Sequence, residues 1–370
     1  MKMKTSWIII LCLCSTFMVR AQTNEQSIIE QMKPMPEFTS LLFGEVKPTG
    51  WLKEQMQADV KGFIGNLKYL IPDLIDDPIY SSERLHRGSK LKDLGNNKEG
   101  DAEGEEQYKW WNSESQSNWW DGYLRNVLLL DDRQHIAEVK AYIERILETQ
   151  DSDGYLGIYT PELRYQFKGE NGELWAKSTL YRGLLGYYEA TGEKKVWDAL
   201  VRAVDNVMQN YPIYKSHPFD TGKEYNGGVA HGLTFTDVLD RMYELTGNRK
   251  YLEYAAFLYM DYSHFFSWEQ DAQLTNVLNK NYKLKCHAVH TYEHLRSLIV
   301  AASMLEDKQV KQALADYLQK IADVVTPTGG AIGDEWIAER LADATHTGYE
   351  YCSLHELMDS YSVLSQKTGL

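Results

Sequence analysis

Glu335, Glu350 and Cys352 are the residues whose types and spacing point most directly to chemistry. Glu335 lies in the run Thr328-Gly329-Gly330-Ala331-Ile332-Gly333-Asp334-Glu335-Trp336, where glycines let backbone come close to a ligand. A carboxyl group beside an aromatic ring is suited to moving a proton at a sugar oxygen while the ring stacks on the sugar face. Fifteen residues later, Glu350-Tyr351-Cys352 opens an apolar-periodic helix. A carboxylate and a thiol two residues apart are two of the donor types that bind zinc.

Other polar candidates stand at the ends of predicted helices. Gln150-Asp151-Ser152-Asp153-Gly154-Tyr155-Leu156-Gly157 contains an Asp-Gly turn. Turn chemistry alone explains it, and the functional reading is a rim loop that offers Asp153 and Tyr155 to a sugar. His217, Tyr225 and Ala230-His231-Gly232 lie in or beside a later loop. In Cys286-His287-Ala288-Val289-His290-Thr291-Tyr292-Glu293-His294 the three histidines share a helix face. They suit a metal ligand set, but contacts from His287 and His290 to sugar hydroxyls fit their place at a helix start better. Trp110-Trp111 and Trp119-Trp120 are doublets in which one ring can face a core and the other a sugar. Trp119 and Trp120 are therefore candidate stacking residues.

The elements that must position these groups repeat. From Trp110 onward helices come in pairs, with turns at Asp131-Asp132, Thr191-Gly192, Thr246-Gly247, Glu306-Asp307 and Thr368-Gly369, roughly 55 to 62 residues apart. Leu185 to Trp197 and Arg241 to Leu252 match closely, each with a Thr-Gly helix stop. The spacing predicts an all-α chain of helical hairpins that close into an α/α toroid, a six-hairpin-type barrel with long loops over one face; an open solenoid is the alternative. A helix is expected from Trp51 to about Phe63 and a long loop from Asp73 to Gln107. The last hairpin reaches Thr368-Gly369 without a second helix, so the toroid is expected to be incomplete and the chain a truncated form of a longer protein.

Composition narrows the setting. Met1 to Ala21 has a basic start, a short apolar run and a small residue at its end, which read as a cleaved secretory signal. Residues 22–44 read as an N-terminal extension and 45–370 as the toroid domain. A periplasmic or secreted protein follows, with no membrane insertion after cleavage. The net charge of −14 argues against nucleic acid as a partner. Of four cysteines only Cys286 and Cys352 outlast the signal, too few for a disulfide framework. Ten Trp and twenty-five Tyr suit a sugar-stacking cleft as well as a core.

The chain resembles the glycoside hydrolase family 127 group, whose founding members are β-L-arabinofuranosidases. The likeness is carried by Lys47-Pro48-Thr49-Gly50-Trp51-Leu52, the Gln150 to Gly157 loop, the Thr-Gly turns, Gly329-Gly330 with Glu335, and Glu350-x-Cys352-x-x-x-Glu356-x-Met358-x-Ser360. It implies an α/α toroid, an oligosaccharide or polysaccharide substrate, Glu335 as general acid/base, and Glu350 and Cys352 as ligands of a zinc ion. It also implies two further cysteine ligands, one of them the nucleophile, downstream of Cys352. The family's His-Glu-Leu-Tyr-x-x-Gly-His run reads Gly172-Glu173-Leu174-Trp175-Ala176-Lys177-Ser178-Thr179 here, without either histidine. A divergent branch that need not accept arabinofuranose is therefore expected, and Lys177 in this run is a candidate substrate contact.

Two other function classes fit parts of the sequence. A polysaccharide lyase would use Tyr225 or His231 as base. A non-catalytic carbohydrate-binding remnant would lack the nucleophile. Without a metal, Glu335 would pair with Glu350, or with Asp334, as the second carboxylate of a hydrolase.

Overall fold

The computed structural model describes residues 38–86, 89, 110–166, 171–222, 226–343 and 345–369. The expected signal at 1–21, the expected extension up to residue 37, the acidic stretch around Lys90 to Gln107 and Tyr225 lie outside the described residues. The described residues are helical, with isolated bridges in place of strands. They form two compact units, one from Ser40 to Glu269 and one that takes in Gln270 onward.

The larger unit opens with α1 (Gly50–Lys61), α2 (Phe63–Leu70) and the single turn α3 (Pro72–Ile75). The helix expected to end near Phe63 breaks at Gly62 and restarts, a break that the glycine permits, since a Cβ there would lie 2.7 Å from the Ala58 carbonyl oxygen. The stretch after Asp73 is less loop-like than expected. It holds the end of α3, a 3-10 turn at Pro78–Tyr80, and a bridge from Leu85 to Tyr159. Three hairpins follow: α4 (Trp111–Leu129) with α5 (Arg133–Glu148), α6 (Glu173–Thr191) with α7 (Lys194–Asn210), and α9 (Phe235–Thr246) with α10 (Lys250–Phe265), with the short α8 (Gly227–His231) before the last.

The turns are the ones that the repeat predicts. Gly192 and Gly247 take left-handed φ of 68° and 67°, and each returns its amide to the carbonyl four residues back, ending α6 and α9. Asp132 caps α5 by accepting from the Gln134 amide. In the second of these hairpins one helix is buried over most of its length and its partner is amphipathic. α6 buries residues all round, whereas α7 buries one stripe from Val196 to Val207.

The second unit is built on α11 (Leu274–Val277), α12 (Ala288–Met304), α13 (Lys308–Ala322) and α14 (Tyr351–Thr368). Asp307 caps α13 through the Gln309 and Val310 amides, and Gly369 ends α14 in the left-handed region. Every residue of α12 from Ala288 to Ser303 is buried, so its polar side chains must be met by protein. Arg296 on α12 reaches the Glu356 carboxylate of α14 at 2.5 Å, the Glu356 carbonyl at 3.1 Å and Ser360 Oγ at 3.5 Å. Ser360 in turn donates to the Tyr292 carbonyl at 2.7 Å.

Removing one member of such a buried pair strands the other charge, at a cost of about 3–5 kcal/mol. Arg296→Ala is therefore expected to lower unfolding free energy by about that much. Arg296→Met with Glu356→Leu should recover most of it, and urea midpoints of the three variants check both.

Candidate active site

The segment before α12 and the loop that carries Glu335 are held together by backbone. Ala288 donates to the Glu335 carbonyl at 2.8 Å, Ile337 to the Cys286 carbonyl at 3.0 Å, Ala338 to that of Lys285 at 3.1 Å and Glu339 to that of Leu284 at 2.9 Å. Glu335, Ala338 and Glu339 have φ of 70°, 52° and 62°. Left-handed backbone costs a residue with a Cβ about 1–2 kcal/mol, so the loop holds its shape only because other contacts over-determine it. Arg340 supplies several of them. Its guanidinium is bidentate on Asp334, at 2.9 and 2.6 Å, and also donates to the Ile337 and Trp336 carbonyls.

The loop then meets the start of α14. Gly333 donates to the Gly348 carbonyl at 3.1 Å. A Cβ at Gly333 would sit 2.9 Å from the Glu350 amide nitrogen, and one at Gly348 would sit 2.5 Å from the Asp334 Cβ. These two glycines are what let the Glu335 and Glu350 segments touch.

Side chains converge at this meeting. His287 Nε2 lies 3.0 Å from Glu335 Oε2, and the Trp336 ring stands edge-on to the imidazole at 5.5 Å. The Glu335 side chain is 68 % exposed and that of His287 16 %. Glu350 is the N-cap of α14, and its Oε2 is buried with no hydrogen-bond partner among the described residues. Donor atoms of His287, Glu335 and Glu350 all fall within 4.8 Å of one another. The Cys352 thiol is half-buried, and burial, then the hydrogen bond and charge of Glu350, push its pKa up to about 12. An imidazole, two carboxylates and a nearby thiol, with one carboxylate oxygen buried and unbonded, fit a divalent cation such as zinc.

Asp271 sets the strand-like segment that presents His287. It is buried and accepts from Tyr282 Oη at 2.8 Å, the Lys285 and Cys286 amides at 3.1 and 3.0 Å, and Thr291 Oγ1 at 2.8 Å. Nothing in Gln270-Asp271-Ala272 marks this role in the sequence, because the donors come from elsewhere in the fold.

The model of the β-L-arabinofuranosidase GH127 catalytic domain matches residues 65–369. The chain belongs to this family. Among solved structures, it is similar to a GH127 β-arabinofuranosidase at 16 % identity and a TM-score of 0.59, over 91 % of this chain and 54 % of that one. It is also similar to a glycoside hydrolase at 18 % identity and a TM-score of 0.52, over 70 % and 44 %. The chain spans about half the length of these proteins. No curated protein matches. The hairpins and these likenesses bear out the all-α fold class of the α/α-toroid type.

Against this GH127 background, several residues that the sequence offers as sugar contacts lack the exposure such a contact needs. Lys177 is fully buried and ion-paired with Glu173 one turn earlier on α6. Tyr155 is fully buried too. It donates to Glu173 Oε1 at 3.0 Å and its ring lies under the Arg164 guanidinium at 3.6 Å and Lys177 Nζ at 3.9 Å. Glu173 is the hub that the sequence reading missed, since it also accepts from the Tyr165 amide at 3.0 Å. Burial, opposed by Glu173, holds the Lys177 pKa below its usual value.

Trp120 is core, stacked on Tyr142 at 3.9 Å. Trp119 spends its face on Tyr123 at 4.8 Å and its indole N–H on the Ile64 carbonyl at 3.0 Å. His290 is buried, with its ring stacked on that of His294 at 5.7 Å. Asp153 is exposed and makes the turn that its Asp-Gly pair predicts, accepting from the Tyr155 amide at 3.0 Å. His231 is half-buried and stacks on Trp175 at 4.7 Å. His217 bonds Asp261 at 2.8 Å.

Two tests follow from this unit. Glu173→Gln should cost about 3–5 kcal/mol by stranding the Lys177 charge, and adding Lys177→Met should restore most of it. A change in KM for Lys177→Met with unfolding midpoints unmoved would instead favour a substrate contact. Asp151 accepts from Arg84 at 2.8 Å and from Arg164. Burial raises its pKa, but the hydrogen bonds and charge of the two arginines outweigh it and hold the carboxyl below its usual 3.8. The stability it adds is thus present above pH 3.8 and lost as pH falls through the lowered value. Asp151→Asn should flatten that acid limb of the stability curve.

Proposed function

We propose that this chain carries the catalytic domain of an exported glycoside hydrolase with Glu335 as its general acid/base. The observation that carries the reading is the 3.0 Å contact between His287 and the Glu335 carboxylate, on a loop with left-handed backbone, in a GH127-family chain. A solvent-reachable carboxyl with an imidazole at its side can deliver a proton to the glycosidic oxygen as the bond from that oxygen to the anomeric carbon breaks. Once a nucleophile has taken the leaving oxygen's place on that carbon, the same carboxylate can take a proton from the water that displaces the nucleophile. Trp336, edge-on to His287, is an aromatic surface next to this carboxyl, half exposed and free to meet a sugar ring.

Glu350 would be the first ligand of a divalent cation here, with Cys352 the sulfur beside it. Such a cation, when bound, lowers the pKa of a coordinated thiol. The substrate is a plant- or host-derived glycan. Gly172 and Thr179, where the resemblance leads one to expect histidines, support a sugar other than arabinofuranose. The basic, apolar start of the chain supports export, and among the described residues no helix is long and apolar enough to cross a membrane.

Hydrolysis of an aryl-glycoside panel, read by aglycone release, tests this. Glu335→Gln should lower kcat by about 10²–10⁴-fold with the circular dichroism spectrum unchanged. Retention of activity within about threefold, well short of that range, would remove Glu335 from the role.

A further inference from the structure

We infer that Arg340 is a positioning residue for the candidate acid/base: its guanidinium staples the two residues that flank Glu335 and so fixes where that carboxyl points. Two nitrogens of the fork meet the two carboxylate oxygens of Asp334, at 2.9 and 2.6 Å. Nη2 also donates to the Trp336 carbonyl, and Nε donates to the Ile337 carbonyl at 3.1 Å. Residues 334, 336 and 337 are thereby tied to one planar group. Glu335 is the residue held between them.

Glu335 needs such a tie. Its φ of 70° lies in the left-handed region, and its exposed side chain is not held by packing. A return of this φ to the ordinary negative range would swing the Cα–Cβ bond and carry the carboxyl away from His287 Nε2. The same bonds define what Asp334 does. Both of its oxygens are taken by Arg340, and hydrogen bonds from that arginine hold its carboxyl below its usual 3.8. Asp334 is therefore an anchor for the staple and not the second carboxylate of a hydrolase. The pair is 40 % and 38 % exposed, and ion pairs open to water add little to global stability. What this one sets is the local backbone on either side of Glu335.

The inference rests on the hydrolase reading, and the test separates the two. In the full chain, Arg340→Ala should lower kcat on the aryl-glycosides by about 10- to 100-fold, the cost of a misplaced reacting group. KM and the urea midpoint should stay close to wild type. Arg340→Lys should remain impaired, because an ammonium carries the charge without the fork. In a Glu335→Gln background Arg340→Ala should cost nothing further, since it acts through a carboxyl already removed. Hydrogen exchange reads the staple without turnover. The Ile337, Ala338 and Glu339 amides bond to the carbonyls of Cys286, Lys285 and Leu284, and in Arg340→Ala they should exchange about 10-fold faster while α12 and α14 stay protected. Should Arg340→Ala fold poorly, Asp334→Ala removes the anchor and leaves the carbonyl bonds, with a smaller loss in the same direction. Wild-type kcat in Arg340→Ala, full recovery by Arg340→Lys, a further loss on top of Glu335→Gln, or unchanged exchange at the three amides would each overturn the inference. Hydrolysis lost in Glu335→Gln but kept in Arg340→Ala sinks only the staple, whereas hydrolysis intact in Glu335→Gln sinks the acid/base reading and the role of Arg340 with it.

Discussion

A helix with protein on every side has to find partners for all its polar groups among its neighbours, and α12 is such a helix. Its Arg296 needs Glu356, its Thr291 needs Asp271, and the Tyr292 hydroxyl donates to the Ile332 carbonyl at 2.6 Å. Each bond pins a different segment: the start of the second unit, the loop after α13, and α14. The elements that carry His287, Glu335 and Glu350 are therefore placed by what a buried helix requires. The same bonds that stabilise the unit set the distances within the candidate site.

The first unit follows the same rule with a different outcome. α6 is also buried over most of its length, and its answer is internal: Glu173 and Lys177, one turn apart, neutralise each other beneath Tyr155 and Arg164. Aromatic rings and cations that look in sequence like a sugar-binding surface are here the lining of a buried charge network. Residue type alone cannot separate these two uses, because both need rings beside charges. What separates them is the four-residue offset between Glu173 and Lys177, which a helix turns into contact.

Much of the fold was legible for a simple reason. A helix that ends on Gly must place it at a left-handed position, and Thr191-Gly192, Thr246-Gly247 and Thr368-Gly369 all do so. The Asp at positions 132 and 307 marks the other kind of turn through its capping bonds. The glycine-flanked loop and the Glu350 helix start were legible as a place where segments approach. That they approach each other depends on the Gly333–Gly348 contact, and that His287 joins them depends on backbone pairing between residues 284–288 and 335–339, which no local pattern announces. Asp271 and Glu173 were hidden for the same reason, since their partners are distant in the chain or look like core.

The left-handed backbone at Glu335 sets folding against chemistry at one position. Glycine would relax that residue's backbone and asparagine would strain it less than glutamate does. Selection of variants for yield or heat tolerance alone would drift toward those two residues. A glutamate at 335 therefore lowers the ceiling on how sturdy this chain can become, and a laboratory campaign to harden it should leave that codon fixed and look for its gains in the hairpin turns and outer helices.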